Sequence, residues 1–525
     1  MNTSNTFVAH SSIGSTNQTN KAIVIGSGFG GLAVALRLLS DGWNVELLER
    51  HGDLGGRARV FHLDGVAFDA GPTVITAPFL FEELFERFGE RLEQHVTLLP
   101  VEPFYRMDYA DGSHFDYKSD IDDTIAEIER LAPGTSGAYK DFLAATEKMY
   151  QRGFIDLAEQ PFTKVTDMLK VLPDLVRLRA DKSLYTFVSR FFDDERLRRA
   201  FSVPSLLVGG HPFHTSSLYG LIHALERRGG VWYPKGGTGA LVTALADLFQ
   251  RHGGTIHTGQ EVTALRVGYG RVTGVEVNGD KHHETDIVVS NADPLHVYEK
   301  WLPMGHWGRL LNGFRRRMKQ SMGLVVVYFL TNRCYKELNH HTIVFGDTFK
   351  EILDTIFDDH DVPEDLSLYL HRPSATDPEM APTGGDAFYV LAPVPNLQGC
   401  QDWETLEPKL TQNILLTLQQ RLMPDLFEQL GVTHTVSPRY FHEALSSPFG
   451  SAFSIAPTLT QSAGFRYHNR SPHYQNLYFV GAGTHPGAGV PGVVSSAGVV
   501  EKLVKEDYAF GPRTFTSPQG KTTAL

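Results

Sequence analysis

Cysteine is almost absent: Cys334 and Cys400 are the only two in 525 residues. They lie far apart and outside any C-x-x-C, which excludes a disulfide framework, an iron–sulfur centre and a thiolate metal site, and suits a reducing cytoplasm. A surplus of basic charge is missing too, with 48 Lys and Arg against 60 Asp and Glu and a net charge of -12. With no finger spacing and no arginine-rich arm, nucleic acid is not an expected partner. No uninterrupted apolar run reaches about 18 residues, so no membrane-spanning helix is expected. The first twenty residues lack both a basic start and an apolar core; rich in Ser, Thr and Asn, they read as a disordered tail and not as a signal peptide. Also missing are a nucleophile triad and an H-E-x-x-H. His211 and His214 have the spacing of a helical metal pair, but Gly209, Gly210 and Pro212 break any helix there, so no metal is expected. No catalytic side chain is assigned.

Glycine, by contrast, is concentrated. "GSGFGG" packs four glycines into residues 26–31, between the β-branched run Lys21 to Ile25 and a helical pattern reaching Leu39; a second strand, Asn44 to Leu48, follows and closes on Glu49. This is a βαβ unit with Gly26, Gly28 and Gly31 at the G-x-G-x-x-G positions, Gly30 between them, and an acid at the offset of a ribose partner. Gly26 would make the tight turn, Gly28 would admit a pyrophosphate to backbone N–H groups, and Gly31 would let helix and strand approach. Dinucleotide binding follows; a glycine-rich turn that needs only positive φ is the alternative. Gly56 and Arg57, in "RHGDLGGRARV", can bring more donors and a guanidinium to the same diphosphate. Near the other end, residues 476–504 read as a strand, a Gly/Pro-rich loop and a helix beginning near Gly492, suited to the negative side of a reduced flavin. The GG-R element resembles that of the large flavoprotein superfamily containing amine oxidases and carotenoid desaturases, and this resemblance, with which the far end of the chain agrees, favours FAD over NAD(P).

"FDAGPTVIT" (68–76), "LLVGGHPFHTSSLYGLIHALERRGGVWYPKGGTGAL" (206–241), "DIVVSNADP" (286–294), "SAFSIAPTLTQSAGFRYHNR" (451–470) and "VGAGTHPGAGVPGVVSSA" (480–497) resemble the bacterial and fungal phytoene desaturases, in the family's order. The resemblance implies a FAD-dependent enzyme that introduces double bonds into a long isoprenoid. It places Glu49 on the adenosine ribose, Arg57 on the diphosphate and Val262 at the adenine, with Gly483, Thr484, His485, Gly492, Val493 and Val494 along the flavin. His485 could instead merely fill its loop, and Arg466 and Arg470 are left open between surface charges and flavin- or quinone-orienting groups.

The implied fold is α/β, a Rossmann-like FAD-binding domain with a discontinuous α+β substrate domain. The FAD domain would comprise 21–104, 237–300 and 441–505; the substrate domain would comprise 105–236 and 301–440, with tails at 1–20 and 506–525. A C40 chain, at about 0.8 kcal/mol per buried CH₂, stays in lipid, so the enzyme should dock peripherally on a membrane surface. Residues 168–201, mixing Leu, Val and Phe with Arg177, Arg179, Lys182, Arg190, Arg198 and Arg199, are either that interfacial surface or an amphipathic helix pair covering the core. Arg315 to Arg317 reads as a solvated face. Quinone or oxygen is the expected electron acceptor. A hydroxylated or C30 carotenoid substrate, a flavin-linked isomerase, and a non-catalytic isoprenoid binder remain as other readings.

Overall fold

The computed structural model describes residues 20–302 and 316–509; Arg315 and, of the tails read at 1–20 and 506–525, residues 1–19 and 510–525 lie outside these. Two sheets organise the chain. The first is five-stranded and wholly parallel, in the order Leu477–Phe479, Ile287–Ser290, Lys21–Ile25, Asn44–Leu48, Thr255–His257. Its central strand shows why: in "KAIVI", Ala22 and Val24 point into one core while Ile23 and Ile25 point into another, so both faces must be covered. Helices Phe29–Ser40, Thr238–Arg251 and Val490–Tyr508 cover the first face. An antiparallel sheet, Val262–Gly268, Arg271–Val277 and Lys281–Glu284, covers the second.

The second sheet has seven strands, in the order Leu430–Val436, Gly323–Thr331, Asp386–Val394, Leu368–His371, His341–Val344, Tyr105–Asp108, His114–Tyr117. Its pairings are antiparallel except between His341–Val344 and Tyr105–Asp108. All nine residues of Gly323–Thr331 are buried, because Val325, Val327 and Phe329 meet helix Trp403–Arg421 while Leu324, Val326 and Tyr328 face the other side. The last helix runs to Tyr508, beyond the boundary at 505 read from the sequence. Tyr508 packs edge-on against Trp43 at 5.1 Å, and Asp507 accepts a hydrogen bond from the Tyr478 hydroxyl at 2.7 Å, which holds that final turn in place.

The stretch 168–201 divides. Helices Leu184–Val188 and Glu195–Ser202 bury Leu184, Phe187, Val188, Leu197 and Phe201 in the core beneath the second sheet. Arg198 donates to the Phe192 carbonyl and Arg199 to those of Gly346 and Asp347, so these cations brace the fold. Within this stretch, helix Val165–Arg177 leaves large apolar side chains in solvent: Leu169, Leu172 and Val176 are 61%, 51% and 68% exposed. In the basic run, Arg316 pairs with Glu299 and Arg317 is exposed.

Candidate flavin and substrate cavity

A cavity of about 550 Å³ runs from the carboxyl ends of the parallel strands to the second sheet. That strand end is where open parallel sheets bind ligands. Its first wall carries Gly26, Gly28, Gly30, Glu49, Gly56, Arg57, Val262, His485, Gly492 and Val493. Gly31, Gly483, Thr484 and Val494 stand behind that wall. A Cβ on Gly31 would sit 1.9 Å from the Gly26 carbonyl oxygen, so this glycine lets helix and strand meet. Gly483 is wedged against Pro294, the Thr484 hydroxyl donates to the Gly481 carbonyl at 3.0 Å, and Val494 is core.

The fit to FAD can be tested on the residues themselves. Glu49 is pinned: one carboxylate oxygen accepts from the Ser27 N–H at 2.9 Å and hydroxyl at 2.6 Å, and the other from the His51 N–H at 2.9 Å. Of about four acceptor positions on a carboxylate, one is left for a ribose hydroxyl. Helices Phe29–Ser40 and Val490–Tyr508 both begin on the cavity wall at glycines, Gly28 and Gly489, without side-chain caps. Their first N–H groups are open to anionic oxygens. Arg57 donates to the Ala452 carbonyl at 2.8 Å and the Ser447 hydroxyl at 3.2 Å and forms no ion pair among the described residues. Burial lowers its pKa, and Asp293 opposes that shift. A half-buried cation with no ion pair among those residues suits a diphosphate. These residues fit the cofactor.

His485 is neutral, its pKa pushed down to about 4 by burial, and its Nε2 meets the Leu157 carbonyl at 3.0 Å. The two open arginines separate. Arg466 is buried and donates to the carbonyls of Ile455 at 3.1 Å and Ala482 at 2.6 Å, bracing the flavin-side loop. Arg470 pairs with Asp507 at 2.9 Å, away from the cavity wall.

Sequence reasoning missed three features of the wall. Asn291 ends the strand Ile287–Ser290 and presses its amide against the fingerprint: a Cβ on Gly28 would lie 2.8 Å from its Nδ2, and one on Gly30 2.7 Å from its Oδ1. Part of the glycine requirement is thus met inside the protein. Thr73, Tyr369 and Tyr389 form a hydroxyl cluster at the far end, with Thr73 Oγ1 2.9 Å and 3.0 Å from the two phenols. Glu226, inside "ALERRGG", reads from sequence as part of a charged helix face. It is fully buried on the cavity wall, accepts from the Tyr105 hydroxyl at 2.8 Å through Oε1, and has no partner at Oε2. Burial raises its pKa to about 7, against the Tyr105 hydrogen bond and the Arg227 charge. Its neighbour Arg227 turns away to the carbonyls of Lys118 and Ser119.

A dinucleotide cradle opening into an apolar cavity defines a FAD-dependent oxidoreductase. The chain belongs to the flavin containing amine oxidoreductase family, whose profile matches residues 29–498. It is 48% identical to the lycopene-forming phytoene desaturase of Pseudescherichia vulneris over 93% of this chain and 99% of that protein. It is 45% identical to the lycopene-forming enzyme of Paracoccus sp. (93% and 98% covered) and 40% to the neurosporene-forming enzyme of Cereibacter sphaeroides (94% and 96%). Among solved structures, an oxidoreductase from Methanosarcina mazei shares the fold with a TM-score of 0.62 at 18% identity, covering 92% of this chain and all of that one. Putrescine oxidase bound to putrescine does so with 0.59 at 14%, covering 93% and 99%.

Proposed function

We propose that the protein desaturates phytoene, or a close C40 carotene, to a more conjugated carotene such as lycopene in carotenoid biosynthesis. The observation that carries this reading is the cavity beyond the cofactor end. Leu206, Leu324, Val326, Phe345 and Leu391 line it, and the hydroxyls of Tyr105, Tyr369 and Tyr389 are all engaged with protein groups. A hydrocarbon, which offers no hydrogen bond, takes no partner from these hydroxyls, and Glu226 Oε2 is, among the described residues, the one buried carboxyl oxygen on that wall it leaves unpaired. The length-spanning likeness to phytoene desaturases supplies the substrate class.

FAD, when bound, accepts the hydride from the substrate carbon. A double bond forms only if the neighbouring carbon also loses a proton, and Glu226 is the proton acceptor in this reading. Its Oε2 lies free on an apolar wall, and a pKa near 7 lets it exchange protons at neutral pH.

Delivery is peripheral. Helix Val165–Arg177 presents Leu169, Leu172 and Val176 to solvent while Met168, Val171 and Leu175 line the cavity, so one helix joins a lipid-facing surface to the site. Ile155 and Phe465, 51% and 56% exposed, extend the apolar surface, and Arg177, Arg179 and Lys182 border it. No described helix is long and apolar enough to cross a membrane. The protein in this reading lies on the cytoplasmic membrane face and passes electrons to a quinone or oxygen.

The test is FAD-loaded protein with phytoene in liposomes and an added quinone. Products of longer conjugation are expected. Loaded protein that leaves phytoene and its hydroxylated and C30 analogues all unchanged overturns the reading.

A further inference from the structure

Outside the cavity, three histidines converge. The antiparallel register of His341–Val344 with Leu368–His371 sets His341 opposite His371, and His340 immediately precedes the first strand. All three rings are at most 2% exposed, and one nitrogen from each lies within 4.8 Å of the others. Nε2 of His340 and Nε2 of His371 are 3.1 Å apart, a separation at which one proton at most lies between them. The outer nitrogens are taken: His340 Nδ1 meets the Thr376 hydroxyl at 2.6 Å, and His341 Nδ1 meets the Tyr369 hydroxyl at 2.6 Å. Nε2 of His341 is buried without a partner.

This is the arrangement of a metal-binding set. Hydroxyls on the outer nitrogens of His340 and His341 fix the orientation of those two rings, as outer hydrogen bonds do around bound ions. Burial holds all three rings neutral, the form that ligates. The ring of Tyr233 packs against His340 at 4.7 Å and His371 at 5.6 Å and donates through its hydroxyl to Asp69 at 2.8 Å, which puts a carboxylate behind the set.

We propose that His340, His341 and His371 bind one divalent transition ion of the imidazole-preferring kind, zinc first, through their Nε2 atoms, with water as fourth ligand. Zn–N bonds of about 2.0–2.1 Å at tetrahedral angles hold ligand nitrogens about 3.3 Å apart, close to the 3.1 Å already between Nε2 of His340 and Nε2 of His371. The ion's role is structural. It ties strand His341–Val344 to strand Leu368–His371, whose Tyr369 is part of the cavity floor. The site does not depend on the proposed reaction, and its test needs no substrate.

Purified FAD-loaded protein should contain about one zinc per chain or take up one after zinc dialysis, and the cobalt-loaded protein should show the intense visible bands of a tetrahedral centre. Zinc-edge X-ray absorption on the unmodified protein should fit three imidazoles. His371→Asn and His341→Phe should each lose the metal while flavin absorbance reports an intact fold. His214→Ala should keep it; His211, His214 and Asp358 form the other candidate set among the described residues, partly exposed and offering two imidazoles. No zinc or cobalt bound by unmodified protein overturns the proposal. So does a spectrum fitting two imidazoles, or a metal lost in His214→Ala and retained in the other two.

Discussion

At the scale of single residues, two carboxylates on the cavity wall, Glu49 and Glu226, each keep an acceptor position to spare. Glu49 has spent three acceptor positions on Ser27 and His51, so Glu49→Ala should remove the proposed ribose contact along with the anchor of the turn. Losing a charged hydrogen bond weakens FAD about tenfold or more. Gly28→Val should do the same, since its Cβ collides with Asn291. Flavin content after gel filtration checks both, and full FAD retention in both would remove the assignment. Glu226 makes a sharper prediction. Glu226→Gln should lower turnover about 10²-fold or more and abolish the rise in rate as pH increases through about 7. The same carboxyl affects stability. Its folded pKa is raised above the ordinary 4.5, so its contribution is present below that value and is lost as pH rises through about 7. Melting curves should therefore show Glu226→Gln gaining on the unmodified protein at pH 8 relative to pH 5; a difference independent of pH would contradict a buried, protonated Glu226.

At the scale of elements, helix Val165–Arg177 stands apart because apolar residues occupy two of its faces. Met168, Val171 and Leu175 line the cavity; Leu169, Leu172 and Val176 are exposed among the described residues. In the proposed reading, these three exposed aliphatic side chains on one short helix are the docking surface. Replacing Leu169, Leu172 and Val176 with Ser should cut liposome sedimentation about tenfold or more, at about 1.5–3 kcal/mol per buried side chain. Arg177→Glu and Arg179→Glu should weaken binding to anionic vesicles and spare neutral ones. Arg198→Glu and Arg199→Glu should instead lower the melting temperature, because those guanidinium groups hold backbone carbonyls. Sedimentation unchanged in the triple variant would move the docking surface elsewhere.

At the scale of the whole molecule, the electron count constrains turnover. Each new double bond releases two electrons, one FAD stores two, and the sequence holds one dinucleotide fingerprint and two separated cysteines. Strictly anaerobic protein should therefore form at most one double bond per bound FAD, and many once a quinone is added, as product analysis would read. Anaerobic turnover far beyond the flavin content would mark a redox-neutral reaction such as isomerisation. The sequence by itself determined whatever is local or periodic. The parallel strand Lys21–Ile25, its glycine turn and helix, the acid at Glu49 and the loop before the last helix each follow from neighbours within about thirty residues. Tertiary structure alone decided which distant residues meet. Asn291 reaches the fingerprint glycines, Tyr105 reaches Glu226 121 positions away, and His340 reaches His371 across 31. No pattern in the chain signals these meetings. They depend on the order of strands in two sheets, and that order is set by the packing of both cores at once.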